Sequence, residues 1–155
     1  MKFIKSNQKR KIIEELNEVY GITKLPYLLI EGGRKRTRAF SGHLSKEEIS
    51  QLNNLTNMEI IGMYLISNKD EDFRLNFDAV SLLRNQITKR IVEINKDQLE
   101  LWLRGHDLEI KADRGIVVLK YQDDLVGIGK SNETKIFNYV PKERKLKTAL
   151  PKSPI

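Results

Sequence analysis

From Gly105 onward the chain breaks into short apolar, β-branched stretches: Leu108 to Ile110, Gly115 to Tyr121, Leu125 to Gly129 and Ile136 to Val140, each followed by turn residues. Segments of this length at this spacing predict a small β-barrel. Just upstream, Ile91 to Ile94 reads as one more strand, and Asn95 opens a short helix that packs Leu99, Trp102 and Leu103 together before Gly105 ends it. Beyond Pro141 the chain is basic and is expected to fray.

The first half is patterned differently. Ile12, Ile13, Leu16, Val19 and Tyr20 fall on one face of a helix spanning Asn7 to Tyr20, which Gly21 stops. Pro26 to Ile30 reads as a strand, Gly32-Gly33 as a turn and Arg34 to Phe40 as the hairpin partner. Ser45 with Glu48 forms a capping-box signature for a helix carrying Ile49 and Leu52 inward. Met58 to Ile66 and Phe73 to Phe77 then predict a second hairpin about a polar turn from Ser67 to Asp72. Asp78 is expected to cap a helix through Ile87 that buries Leu82, Leu83 and Ile87. Together the elements define an α+β chain of two parts: a mixed α/β domain at residues 1–86 and a β-barrel at 87–147, with a basic tail at 148–155.

Charge narrows the partners. The formal net charge is +7, and it is concentrated at the ends, with ten basic against four acidic residues in 1–45 and seven against two in 130–155. Such an excess attracts a polyanion, and it also keeps a protein soluble. There are no cysteines, which excludes disulfides, thiolate metal sites and cysteine nucleophiles and makes the cytoplasm the expected setting. No apolar run is long enough for a membrane span or a signal-peptide core, so no membrane partner is expected.

Two anchors carry a family resemblance. Gly115 to Lys130, with the sequence Gly-Ile-Val-Val-Leu-Lys-Tyr-Gln-Asp-Asp-Leu-Val-Gly-Ile-Gly-Lys, resembles the end of a PUA domain, and Leu103-Arg104-Gly105-His106-Asp107-Leu108 resembles that family's earlier helix-to-strand glycine turn. The ending Lys135-Ile136-Phe137-Asn138-Tyr139-Val140-Pro141-Lys142-Glu143-Arg144 is similar to the PUA-like tail of Sun-class RNA 5-methylcytosine methyltransferases. The first half is similar in layout to the pre-PUA domain of small ribosome-assembly proteins. The resemblance implies a fold that binds structured RNA, ribosomal or transfer, through the glycine turn and the last strand with its flanking loop. The implied RNA-binding residues are Arg104, Gly105 and His106 on one side, and Lys130, Ser131, Lys135, Asn138, Tyr139, Lys142 and Arg144 on the other.

The methyltransferases themselves attack cytosine with a cysteine thiolate, which this sequence lacks, as it lacks a glycine-rich loop for S-adenosylmethionine. The expectation is a noncatalytic RNA-binding protein without cofactor or metal, acting in ribosome maturation or RNA modification. A protein-protein adaptor, or an accessory subunit of a separate methyltransferase, is the rival. Gly105 and Gly129 would admit a sugar-phosphate backbone for want of a Cβ, or serve as a helix cap and a point of barrel curvature. Arg34, Arg36 and Arg38 share one strand face, suited either to a polyanion or to protecting a sheet edge by charge. Other motifs are weak. Asp78 beside Ser81 is better read as helix capping than as an active site. His43 and His106 lack partners at zinc-ligand spacing, and Gly129-Lys130-Ser131 has no glycine five positions before Gly129 to complete a phosphate loop.

Overall fold

The computed structural model of the chain describes residues 2–32, 36–42, 44–55, 62–67 and 72–146. The expected Gly33 turn, Arg34, His43, the start of the Met58 strand, most of the Ser67 to Asp72 turn, and the tail from Lys147 lie outside the described residues. The chain divides into two units, Met1–Ala79 and Val80–Ile155.

In the first unit, α1 (Ser6–Tyr20) ends at Gly21, which adopts φ 86° and donates its N–H to Asn17 O at 2.9 Å. Only a residue without a Cβ takes that left-handed conformation readily, so the glycine fixes where the helix stops. The sheet is an antiparallel meander of β1 (Lys2–Phe3), β2 (Leu28–Gly32), β3 (Arg36–Phe40), β4 (Met63–Ser67) and β5 (Arg74–Leu75), in chain order. Between β3 and β4 lies α2 (Lys46–Leu55), opened by the expected capping box: Ser45 N–H donates to Glu48 Oε1 at 3.3 Å and Glu48 N–H to Ser45 Oγ at 3.2 Å.

Tyr20 ties α1 to the far strand. Its hydroxyl donates to Phe73 O and accepts from Leu75 N–H at 3.2 Å. Burial raises the phenol's pKa above its ordinary value, the Leu75 N–H opposing and the Asp72 charge adding to the rise. The raised value favours the neutral phenol in the fold. That stabilisation is complete below the unfolded value of about 10 and is lost as pH rises beyond it. Tyr20→Phe is therefore expected to cost about 1–2 kcal/mol at neutral pH and to blunt the alkaline loss of stability above about pH 10, as read from urea unfolding at several pH values.

Several expectations shift here. Only Ile49 of α2 is buried, whereas Leu52 is exposed, because the short helix presents a narrow inward stripe. The strand expected over Phe73 to Phe77 is confined to Arg74–Leu75, since Asn76 already turns the chain and caps α3 (Phe77–Leu82) by accepting Asp78 N–H at 2.9 Å. Asp78 thus sits in the first turn instead of at the cap. Leu82 is exposed while Ala79, Val80, Leu83 and Ile87 are buried, because α3 stops early and gives way to a 3₁₀ turn at Arg84–Gln86.

In the second unit, β6 (Ile91–Glu93), β7 (Gly115–Tyr121), β8 (Asp124–Ser131) and β9 (Ile136–Asn138) form a four-stranded sheet in the order β6-β7-β8-β9, with the helix α4 (Lys96–Leu103) between β6 and β7 in the chain. β6 pairs parallel with β7, and α4 lies within the long connection that a parallel pair requires. β7 and β8 form an antiparallel hairpin, and β9 returns antiparallel along β8. Among the described residues the sheet is open and does not close into the expected barrel. The strand expected at Leu108 to Ile110 is a single bridge, Leu108 to Ile136. The carbonyls just downstream are taken by side chains: Ser131 Oγ donates to Ala112 O at 2.9 Å, and Arg90 Nη2 to Asp113 O at 2.9 Å and Arg114 O at 2.8 Å.

The core of this unit centres on Trp102, which is fully buried and donates its indole N–H to Val126 O at 2.8 Å. Gly129 lies against it. A Cβ there would stand 2.7 Å from the Trp102 ring and 2.5 Å from Phe137 O, so the glycine is required for close packing and offers no approach to a backbone from outside.

Candidate nucleic-acid interface

The expected site residues fall in two separate stretches, 104–106 and 130–144, and the fold brings most of them together at the C-terminal end of α4. The helix ends in a Schellman arrangement: Gly105 at φ 95° donates to Trp102 O at 3.0 Å and His106 N–H to Leu101 O at 2.9 Å. Asn138, at the end of β9, bolts this turn to the sheet. Its Nδ2 donates to Trp102 O at 2.7 Å and to His106 O at 2.9 Å, its Oδ1 accepts Val140 N–H at 2.8 Å, and its own N–H donates to Asp107 Oδ1 at 2.8 Å.

The chain beyond β9 then folds back over the same turn. Lys142–Arg144 form a 3₁₀ turn, Lys145 lays its side chain across Gly105, and Leu146 N–H donates to Leu103 O at 2.7 Å. The expected fraying therefore does not begin at Pro141, because this segment is hydrogen-bonded to the helix end as far as Leu146. A Cβ at Gly105 would stand 2.6 Å from the Lys145 Cδ, so glycine here serves both the left-handed cap and the passage of the lysine stem.

The exposed basic groups at this end are Arg104, His106, Lys142 and Arg144, with Lys145 and Lys135 half-buried beside them. Arg104 pairs with Glu100 at 3.8 Å one helical turn back, and Lys135 with Asp107 at 3.4 Å while also lying 5.3 Å from the centre of the Phe137 ring. Exposed pairs such as these contribute little to stability and exchange readily for a phosphate. Tyr139 is half-buried and directly follows Asn138 in the chain, two residues before Pro141.

Three expected residues play other parts. Ser131 is buried, its hydroxyl donating to Ala112 O and accepting Glu133 N–H at 3.0 Å, so it closes a loop and presents nothing to a ligand. Asn138 has both amide hydrogens and its oxygen committed to backbone, which makes it a positioning residue. Lys130 pairs across the sheet with Ile116 and Phe137, which places it on the face opposite Asn138 and Gly129. Sequence analysis placed Asp107 in the glycine turn but not as the acceptor of Asn138 N–H and the partner of Lys135, and it did not bring Lys145 to this turn. Nor did it pick out Arg90, whose φ of 58° and three bonds to the carbonyls of Asp113, Arg114 and Ile116 hold the start of β7. Among the described residues no cluster of histidine and carboxylate side chains is arranged to hold a metal ion.

A helix-capping glycine turn, tied by a terminal asparagine to the last strand and overlaid by a basic segment, is the feature by which the second unit resembles a PUA domain. Residues 89–146 match the family described as the methyltransferase RsmF PUA domain, so the C-terminal part of the chain resembles the PUA-like tail of the Sun-class methyltransferases. No curated protein matches the chain. No helix among the described residues is long and apolar enough to cross a membrane.

Proposed function

We propose that the protein is a noncatalytic RNA-binding protein of the cytoplasm that engages ribosomal or transfer RNA through its PUA domain, in ribosome maturation or RNA modification. The N-terminal unit is read as a pre-PUA-like domain. The observation that carries the proposal is the convergence of Arg104, His106, Lys142, Arg144 and Lys145 on one glycine turn inside the matched domain. Cations on exposed side chains about a rigid turn neutralise phosphates, and shape rather than base edges is what such a surface reads in a folded RNA.

If about five phosphates are engaged on a single strand, the log-log dependence of affinity on salt has a slope near −3.5. The double substitution Lys142→Glu with Arg144→Glu is expected to weaken binding about tenfold and to flatten that slope, while leaving the urea midpoint unchanged. Fluorescence anisotropy with a labelled transfer RNA at several salt concentrations reads both. A salt-independent interaction would overturn the proposal. Crosslinking to RNA in native cells, followed by sequencing of the attached fragments, is expected to enrich ribosomal or transfer species. Co-purification with a methyltransferase would place the chain as an accessory subunit acting in trans.

A further inference from the structure

Arg36 and Arg38 project from the same side of β3, two residues apart, and both reach the ring of Tyr64 on β4. The guanidinium carbons lie 4.8 Å and 5.8 Å from the ring centre. A β-bulge between Thr37 and Arg38 shifts the register so that Arg38 pairs directly with Tyr64, and Arg38 Nη1 donates to Gly62 O at 3.1 Å. Among the described residues neither arginine pairs with a carboxylate.

The patch continues toward α1. Arg36 and Lys11 line one groove together with Gln8 and Thr37, floored by Ile4 and Ile12. The acidic residue of that groove, Glu31, lies 3.5 Å from Lys2.

We propose that this surface of the N-terminal unit is a second RNA-binding site, which takes phosphates on Arg36, Arg38 and Lys11 and stacks an unpaired base on the Arg36 guanidinium. An arginine lying over an aromatic ring is ordered before binding, so its remaining N–H groups are presented to a phosphate at small entropic cost. Its outer face stays open to a second planar group, which a base supplies and an acidic peptide does not. The proposal does not rest on the PUA domain, since every residue in it belongs to the first unit.

The test uses the full chain and a labelled RNA hairpin carrying a single-stranded extension, followed by anisotropy across a salt series. Arg36→Glu with Arg38→Glu is expected to lower affinity about tenfold and to reduce the salt slope by about 1.4, the share of two phosphates. Arg36→Lys with Arg38→Lys keeps the charge and the fold and removes the planar stacking group. It is expected to keep the slope near that of the wild type yet bind the extended hairpin about threefold more weakly, with no change for a hairpin lacking the extension. This lysine variant decides the matter if the glutamate variant does not fold. Wild-type affinity in both variants would overturn the proposal, as would binding of poly-glutamate as tightly as the RNA, which would assign the patch to an acidic protein. Loss of binding confined to Lys142→Glu with Arg144→Glu would leave the PUA site standing and remove this one.

Discussion

Trp102→Ala is expected to destabilise the C-terminal unit by about 3–5 kcal/mol, enough to unfold it or nearly so at ambient temperature. The indole is fully buried, and its edge fills the space that Gly129 leaves by having no side chain. Its removal opens a cavity and at the same time strips the Val126 carbonyl of its donor. The neighbouring backbone cannot collapse into the gap without pulling β8 away from β9, because Gly129 pairs with Asn138 across that ladder. Trp102→Phe keeps much of the ring and is expected to cost about half as much. Far-UV circular dichroism through a urea titration checks both, and a midpoint within error of the wild type for the alanine variant would contradict the packing described. The Trp102 backbone carbonyl that receives the Asn138 amide remains in the alanine variant, so RNA affinity is expected to fall only through the lost packing that positions this turn, together with stability.

The elements that could be read from sequence were those with local causes. α1, with its apolar stripe and Gly21 stop, the Ser45–Glu48 capping box and the Asn95 cap of α4 each depend on residues a few positions apart, and each was found where the pattern put it. β7 was found over its whole predicted length, because a continuous apolar run buried on both faces is a strong signal. What could not be read depended on partners distant in the chain. Leu108 to Ile110 has the composition of a strand, but its pairing depends on a partner far along the chain, Ile136, which it meets at Leu108 in a single bridge.

The same division runs through the candidate site. Arg104, Gly105, His106, Lys142 and Arg144 could be named from the resemblance, and all but the glycine expose their side chains at one end of the unit. The inward turn of Ser131 and Asn138 was not read from composition, since a polar residue near a basic loop looks alike whether it meets a ligand or a backbone carbonyl. Period two along β9 was the available clue. With Phe137 outward, Ile136 and Asn138 must face α4, where an amide can serve only as a bolt.

Substitution of that bolt separates a positioning residue from an RNA contact. Asn138→Ala is expected to cost about 2–3 kcal/mol, because the carbonyls of Trp102 and His106 and the N–H of Val140 all lose a partner inside the turn. Asn138→Asp has nearly the same shape, yet it is expected to cost more than the alanine at neutral pH. It keeps an acceptor for Val140 but turns a carboxylate oxygen toward two carbonyl oxygens in place of two N–H donors. That repulsion disfavours the charged form, so the new carboxyl has a folded pKa above the unfolded value of about 3.9. Raised in this way, its contribution improves as pH falls, and the aspartate variant is expected to regain part of its deficit against the wild type below about pH 4, where a protonated carboxyl can donate to one of the two carbonyls. Urea midpoints of the three proteins at pH 7 and pH 4 read the order directly. An RNA contact would leave all three equally stable at both pH values and change affinity alone, whereas the hydrogen bonds of Asn138 require stability to move first and affinity to follow it.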